Sequence, residues 1–192
     1  MFDKELELIK NDRLRENAEV LVDSLPDYFY EISASSTNKY HPNYTIGEYG
    51  LLKHVKVAVR IAYELLNNES LGNYTQDEKD LMLIALILHD GLKHGKTHEQ
   101  YSRFDHPIIM ADFIEEKKEE LSFTDEERNL IRNCIASHMG QWNTNTYSNV
   151  ILPKPVTKYE RFVHMCDYLA SRKFLEVEFD EDNNIKEQVI SS

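Results

Sequence analysis

The run Leu81-Met82-Leu83-Ile84-Ala85-Leu86-Ile87-Leu88 has no polar side. A helix that is apolar all round has to be enclosed by other elements, so the fold must be built around this segment. The run ends in His89-Asp90. Two residues that close a buried helix lie near the core, where an ionised carboxylate is costly unless a cation or hydrogen-bond donors compensate it. A neutral imidazole beside that carboxylate invites the same cation. Further isolated candidates stand at wide spacing: His54 upstream, then His106, His138 and Asp167 downstream. Each falls on, or at the end of, a segment with a helical pattern. Histidines and aspartates contributed by separate helices are how a metal site is built inside a helical domain.

Helix signals dominate the rest of the chain. Leu14, Ala18, Leu21, Val22 and Leu25 follow helical spacing, and Pro26 ends or redirects that helix. The polar stretch from Ser33 to Gly50 carries Pro42 and Gly47 and reads as a long ordered loop, a feature uncommon without a functional reason. From Leu51 to Asn67, residues Leu52, Val55, Val59, Ala62 and Leu66 form one stripe. Three Thr-x-x-Glu capping boxes follow: Thr75 to Glu78, Thr124 to Glu127 and Thr157 to Glu160. The first leads to His89-Asp90, the second to His138 and the third to Asp167. Asp105-His106-Pro107 is a further start signal, since proline favours the first helical turn. Pro153 and Pro155 separate the last two helices. After Phe174 the sequence alternates Leu175, Val177 and Phe179 with Glu176, Glu178 and Asp180, which predicts a short strand or an acidic tail. The expected fold class is all-α, a single helical bundle with a metal site between its helices. We read residues 1–192 as one domain: an N-terminal helix and ordered polar loop (1–50), a metal-binding core (51–174) and an acidic tail (175–192).

Composition narrows the function classes. A chain of 192 residues suits one domain with a sizeable core. No stretch approaches the roughly 18 to 20 apolar residues of a membrane span. The start Met1-Phe2-Asp3-Lys4-Glu5 lacks the apolar region of a signal peptide. The expectation is a cytoplasmic protein without a membrane partner. Cys134 and Cys166 fall inside helical patterns and read as reduced core residues. A net charge of −12 argues against affinity for long duplex nucleic acid, which normally requires a basic face. It leaves room for a small anionic substrate, because metal ions and a few local cations reverse the field within one pocket.

The ordered set His54, His89-Asp90, Lys93, His106, His138 and Asp167 resembles the HD superfamily of metal-dependent phosphohydrolases. The likeness covers about Gly50 to Lys173. It includes Gly50-Leu51-Leu52-Lys53-His54 at the head of a helix, the apolar run into His89-Asp90, and His164-Met165-Cys166-Asp167-Tyr168-Leu169-Ala170. The resemblance implies that His54, His89, Asp90 and Asp167 bind one divalent ion, with Asp90 bridging to a second ion held by His106 and His138. Imidazole and carboxylate suit manganese, iron, cobalt, nickel or zinc, with magnesium an option at the second site. Such ions polarise a phosphoryl oxygen and activate water near neutral pH. His89-Asp90-Gly91-Leu92-Lys93 also resembles the His-Asp-x-x-Lys pattern of the binuclear branch, which includes the HD-GYP phosphodiesterases. The Gly-Tyr-Pro element of those proteins is absent, a departure that tells against a cyclic dinucleotide.

Around this set stand candidates for substrate contact. Lys93, three residues after Asp90, is expected to neutralise charge on a bound phosphate, so Asp90 and Lys93 are the candidate catalytic pair. The hydroxyls of Ser35, Ser36 and Thr37, with Lys39, are good phosphate partners. Tyr40-His41-Pro42-Asn43-Tyr44 ahead of Gly50-Leu51-Leu52-Lys53-His54 is similar to the approach segment of HD-type exoribonucleases, a resemblance that implies a substrate-side or outer metal-side role for His41. Arg172 and Lys173 follow Asp167 as candidate phosphate contacts. Other residues receive plainer readings. His94 and His98 are expected to be exposed or to support the site indirectly, and His164 to pack or support. Trp142 is expected to pack under its loop, with a base-stacking surface as the alternative. The run Glu115-Glu116-Lys117-Lys118-Glu119-Glu120 is a solvated helix face. Three functions fit: a phosphohydrolase acting on a nucleotide or short oligonucleotide, a 3′-to-5′ exonuclease on single strands, and a non-catalytic module that holds metal and nucleotide. The base, the number of phosphates and the oligomeric state are left open.

Overall fold

The computed structural model describes residues 1–37, 41–71 and 73–186. Among the described residues there are seven α-helices and no β-strand: α1 Asp3–Leu6, α2 Asp12–Asp23, α3 Gly50–Leu66, α4 Gln76–Leu88, α5 His106–Glu116, α6 Asp125–Ser137 and α7 Lys158–Ala170. The all-α expectation holds. Short 3-10 turns at Asp27–Tyr30, Asn43–Thr45 and Lys118–Glu120 punctuate the connections.

The apolar run dictates the arrangement. Every residue from Leu81 to Leu88 is buried, because α4 is flanked by α2, α3, α6 and α7. Helix α3 packs on α7, and α5 packs on α6. The three capping boxes form as the sequence requires. Thr75, Thr124 and Thr157 each accept from the backbone of the glutamate three residues on, and each glutamate reaches back to the cap. These caps fix where α4, α6 and α7 begin, and so fix which residue each helix delivers at its far end. Pro107 sits in the first turn of α5, directly behind His106.

The C-terminal segment is neither a regular strand nor a free acidic tail. Phe179 and Ile185 form an isolated antiparallel bridge, and Val177, Phe179 and Ile185 pack against the core. The alternation seen in the sequence puts its apolar set inward. Phe179 lies 5.4 Å from the ring of Tyr44, and Asn184 accepts a hydrogen bond from the buried Lys56 at 3.0 Å. The segment is therefore pinned to the outer side of α3.

Candidate metal centre

Helix ends bring the candidate ligands together. His89 caps the C-terminus of α4 and His138 that of α6. The last carbonyls of a helix lack intrahelical donors. Here His89 Nδ1 donates to Leu86 O at 2.7 Å and His138 Nδ1 donates to Ile135 O at 2.7 Å. His106, opening α5, makes an equivalent bond to Arg103 O at 2.6 Å. A carbonyl only accepts, so the proton of each neutral ring sits on Nδ1. The three Nε2 atoms are left as lone pairs aimed into the interior, the orientation that ligation needs.

His54 reaches the same place from α3. Its helix starts at Gly50, where a Cβ would lie 2.2 Å from Thr45 O. Glycine thus lets the loop close tightly over the helix start. Asp167 arrives from the last turn of α7. Its Oδ1 lies 3.0 Å from His54 Nε2 and 3.5 Å from His89 Nε2.

Asp90 stands between two groups. Its Oδ2 faces His89 Nε2 at 3.5 Å and His54 Nε2 at 3.9 Å. Its Oδ1 faces His106 Nε2 at 2.9 Å and His138 Nε2 at 3.7 Å. Ligand atoms of His54, His89 and Asp90 lie within 4.8 Å of one another, as do those of Asp90, His106 and His138; a third, overlapping group joins His89, His138 and Asp167. All six side chains are buried or nearly so, Asp167 being the most accessible at 17%.

The arrangement is incomplete without a cation. His89 Nε2 and Asp90 Oδ1 are buried with no hydrogen-bond partner. His106 Nε2 and His138 Nε2 stand 3.3 Å apart, although both rings already spend their protons on backbone carbonyls. Two lone pairs at that distance repel unless a positive charge lies against them. Protonation of His138 is not the remedy, since burial, reinforced by His89, pushes its imidazole down to about 3. Burial opposes ionisation of Asp90, yet the ammonium of Lys93 helps to hold its carboxyl well below the usual range. Asp167 behaves alike: burial opposes its charge, and His54, at 3.0 Å, helps to hold its carboxyl well below the usual range. Two buried carboxylates and four imidazole nitrogens are a donor set that fits divalent transition metals.

Lys93 forms a close ion pair with Asp90 Oδ2, so its ammonium is at the cluster but on the carboxylate. His41 is brought to the rim, with its ring 5.3 Å from that of His54 and its Nδ1 buried without a partner. Burial, with help from His54 and Lys93, pushes this imidazole down to about 3. Arg172 is not directed into the cluster. Its guanidinium lies 4.2 Å over the ring of Tyr168 and bonds Ser171 Oγ and Tyr168 O. Lys39 lies outside the described residues. His94 is buried, contrary to the exposed alternative. Its Nδ1 donates to Glu99 O at 2.9 Å, its Nε2 meets Ser102 Oγ at 3.4 Å, and Ser102 Oγ meets Ser36 Oγ at 2.9 Å. Ser36 is thereby engaged in holding its loop against the segment after Lys93. Tyr28 completes this clamp, donating to Gly95 O at 2.6 Å and stacking on His98 at 4.6 Å. Neither Tyr28 nor Ser102 carried a sequence signal, because Tyr28 meets Gly95, and Ser102 meets Ser36, across more than sixty residues.

An all-α fold with histidine and aspartate side chains converging from five helix ends defines a helical metal-site domain. The family model for the HD domain matches residues 51–172, and the chain belongs to this family. Its superfamily is that of metal-dependent phosphohydrolases, and its members bind divalent metals through such clusters. Searches of curated proteins and of solved structures returned no match.

Proposed function

We propose that the protein hydrolyses a phosphate ester of a nucleotide or short oligonucleotide, using two divalent ions. His54, His89, Asp90 and Asp167 would hold one ion; His106, His138 and Asp90 would hold the other. The observation that carries this reading is the division of Asp90, whose two oxygens face two separate pairs of imidazole nitrogens. Manganese, iron, cobalt, nickel or zinc suits the donors, with magnesium possible in the second position. Bound there, the ions supply Lewis acidity toward a phosphoryl oxygen and make water a usable nucleophile near neutral pH.

The chain's own groups supply the rest. Asp90 orients both halves of the cluster while its charge is spread over several cations. Lys93, close to Asp90 and partly accessible, neutralises charge that develops on the phosphoryl group. His41 is neutral at working pH and offers a hydrogen bond at the rim. The expected partner is a small phosphorylated molecule rather than a long duplex, in keeping with the acidic net charge. No helix among the described residues is long and apolar enough to cross a membrane, which is compatible with the proposed cytoplasmic setting.

His41 against His54 favours a second reading, a 3′-to-5′ exonuclease on single strands. One screen with added manganese separates the readings. Mononucleotides, cyclic nucleotides and short single strands are offered in parallel. Turnover of mononucleotides or dinucleotides supports the first reading, and turnover that rises with strand length supports the second. Metal and nucleotide binding with no turnover of any of them overturns both in favour of a non-catalytic module.

A further inference from the structure

One aromatic stack beside the cluster is used by nothing described so far. Trp142 and Tyr168 lie with ring centroids 5.6 Å apart and planes inclined by 18°. The guanidinium of Arg172 lies 4.2 Å over Tyr168, held by Ser171 Oγ at 2.7 Å and Tyr168 O at 3.1 Å. Three planar groups therefore form one layered unit, with Trp142 left 44% exposed at its outer end. An exposed indole braced in this way forgoes burial that a large aromatic usually obtains.

The stack is tied to the candidate ligands on both sides. Tyr168 follows Asp167, about 100° further round α7. Trp142 follows His138 through a tight turn, with its N–H donating to Met139 O at 3.1 Å. His164 sits between them. Its Nδ1 donates to His138 O at 2.6 Å, and its ring meets that of Trp142 edge-on at 6.5 Å. The turn fits His164 closely: Gly140 has a φ of +58°, and a Cβ there would fall 2.2 Å from His164 Cε1. The indole is thus positioned by His164 and Tyr168, which also contact or adjoin His138 and Asp167.

We infer that the free face of Trp142 is the platform on which the base of a nucleotide substrate stacks while its phosphate occupies the metal centre. Tyr168 and Arg172 are positioning residues that hold the indole flat. The inference rests on the nucleotide reading above and adds to it a recognition rule. Every base has a π face, so stacking demands a base without selecting one. The substrate class is therefore nucleotides of either purine or pyrimidine type, preferred over base-free sugar phosphates.

Trp142 is the only tryptophan of the chain, so its fluorescence reports the platform directly. Full-length protein, with manganese and again with chelator, is titrated with AMP, CMP and ribose 5-phosphate. The expected result is saturable quenching by both nucleotides and none by ribose 5-phosphate, with weaker but still saturable quenching after chelation. Linear, unsaturable quenching, or an equal response to ribose 5-phosphate, overturns the inference. In turnover assays, Trp142→Ala should lower the preference for AMP over ribose 5-phosphate by about tenfold or more, mainly through KM. Trp142→Phe should recover part of it, and an unchanged preference in both variants also overturns the inference. Failure of the two claims is distinguishable. Hydrolysis of ribose 5-phosphate with indifference to nucleotides leaves the phosphohydrolase reading intact and removes the platform. Saturable quenching with no hydrolysis of any ester does the reverse.

Discussion

Two buried charged clusters stand at opposite sides of α3, and they are finished differently. Lys56 is fully buried, with its Nζ 3.4 Å from Glu5 Oε2 and donating to Asn184 Oδ1 at 3.0 Å. Here the chain supplies both signs of charge and a neutral acceptor, and the three groups fasten α1, α3 and the C-terminal turn together. The cluster around Asp90 also holds buried charge, but its remaining nitrogens and oxygens face one another as acceptors. Buried acceptors without donors are rare in native proteins. The contrast is one of charge: the first cluster sets a lysine of its own against its carboxylate, although Glu5 Oε2 has no hydrogen-bond partner, and the second gathers more imidazole and carboxylate acceptors than the chain supplies with donors.

Predictions that test this contrast begin with Asp90. Asp90→Ala should remove hydrolysis to background in a steady-state assay, because the two oxygens of Asp90 each face one pair of imidazoles. Its melting temperature should no longer rise on adding manganese, whereas that of the wild type should rise, since an ion that binds only the folded state stabilises it by about 2.7 kcal/mol at a hundredfold excess over Kd. A variant that keeps its turnover would place the reaction elsewhere.

Lys93→Ala comes next. It should keep its metals and lose about 100-fold in kcat, the usual scale for one electrostatic group that acts on the transition state. KM should change little. Lys93→Arg should rescue only in part, because a planar fork differs from a point charge. Wild-type kcat for Lys93→Ala would make its ion pair with Asp90 purely structural.

The smallest effect on activity, and the clearest on stability, is expected from the cluster around Lys56. Lys56→Met leaves Glu5 without its cation and should cost about 3 kcal/mol in denaturant unfolding, with metal content and kcat unchanged. The pH profile sharpens the point. Burial raises the Glu5 carboxyl above its usual range, and Lys56 only partly offsets this. The protonated form is thus favoured on folding, so the contribution of Glu5 is fullest below the ordinary glutamate range and declines as pH rises through the raised value. Glu5→Gln should lack that decline.

Much of this architecture was legible in the sequence, for identifiable reasons. The three capping boxes are local chemistry, and each formed where Thr75, Thr124 and Thr157 required. The apolar run left no choice about the position of α4. His89 and Asp90 were legible because they end that run; His54, His106, His138 and Asp167 needed the ordered likeness to a family to be gathered into one set. What the sequence did not carry is direction and distance. Arg172 is as available to a phosphate as to Tyr168 until its rotamer is known, and it lies over the ring. His94 sits in a glycine-containing loop that reads as exposed, but Tyr28 covers it from far along the chain and Ser102 from the end of the same loop. The alternating tail gave its inward face correctly and its partner not at all, since Lys56 is a buried lysine that no local pattern announces.

The central claim is that the cluster around Asp90 is completed by metal ions. Elemental analysis of protein purified without chelator, wild type beside Asp90→Ala, addresses it most directly. The account predicts two divalent transition-metal ions per wild-type chain and loss of both from the variant. A wild-type protein that stays free of metal after equilibration with manganese, iron or zinc, or a variant that retains the full complement, would contradict it.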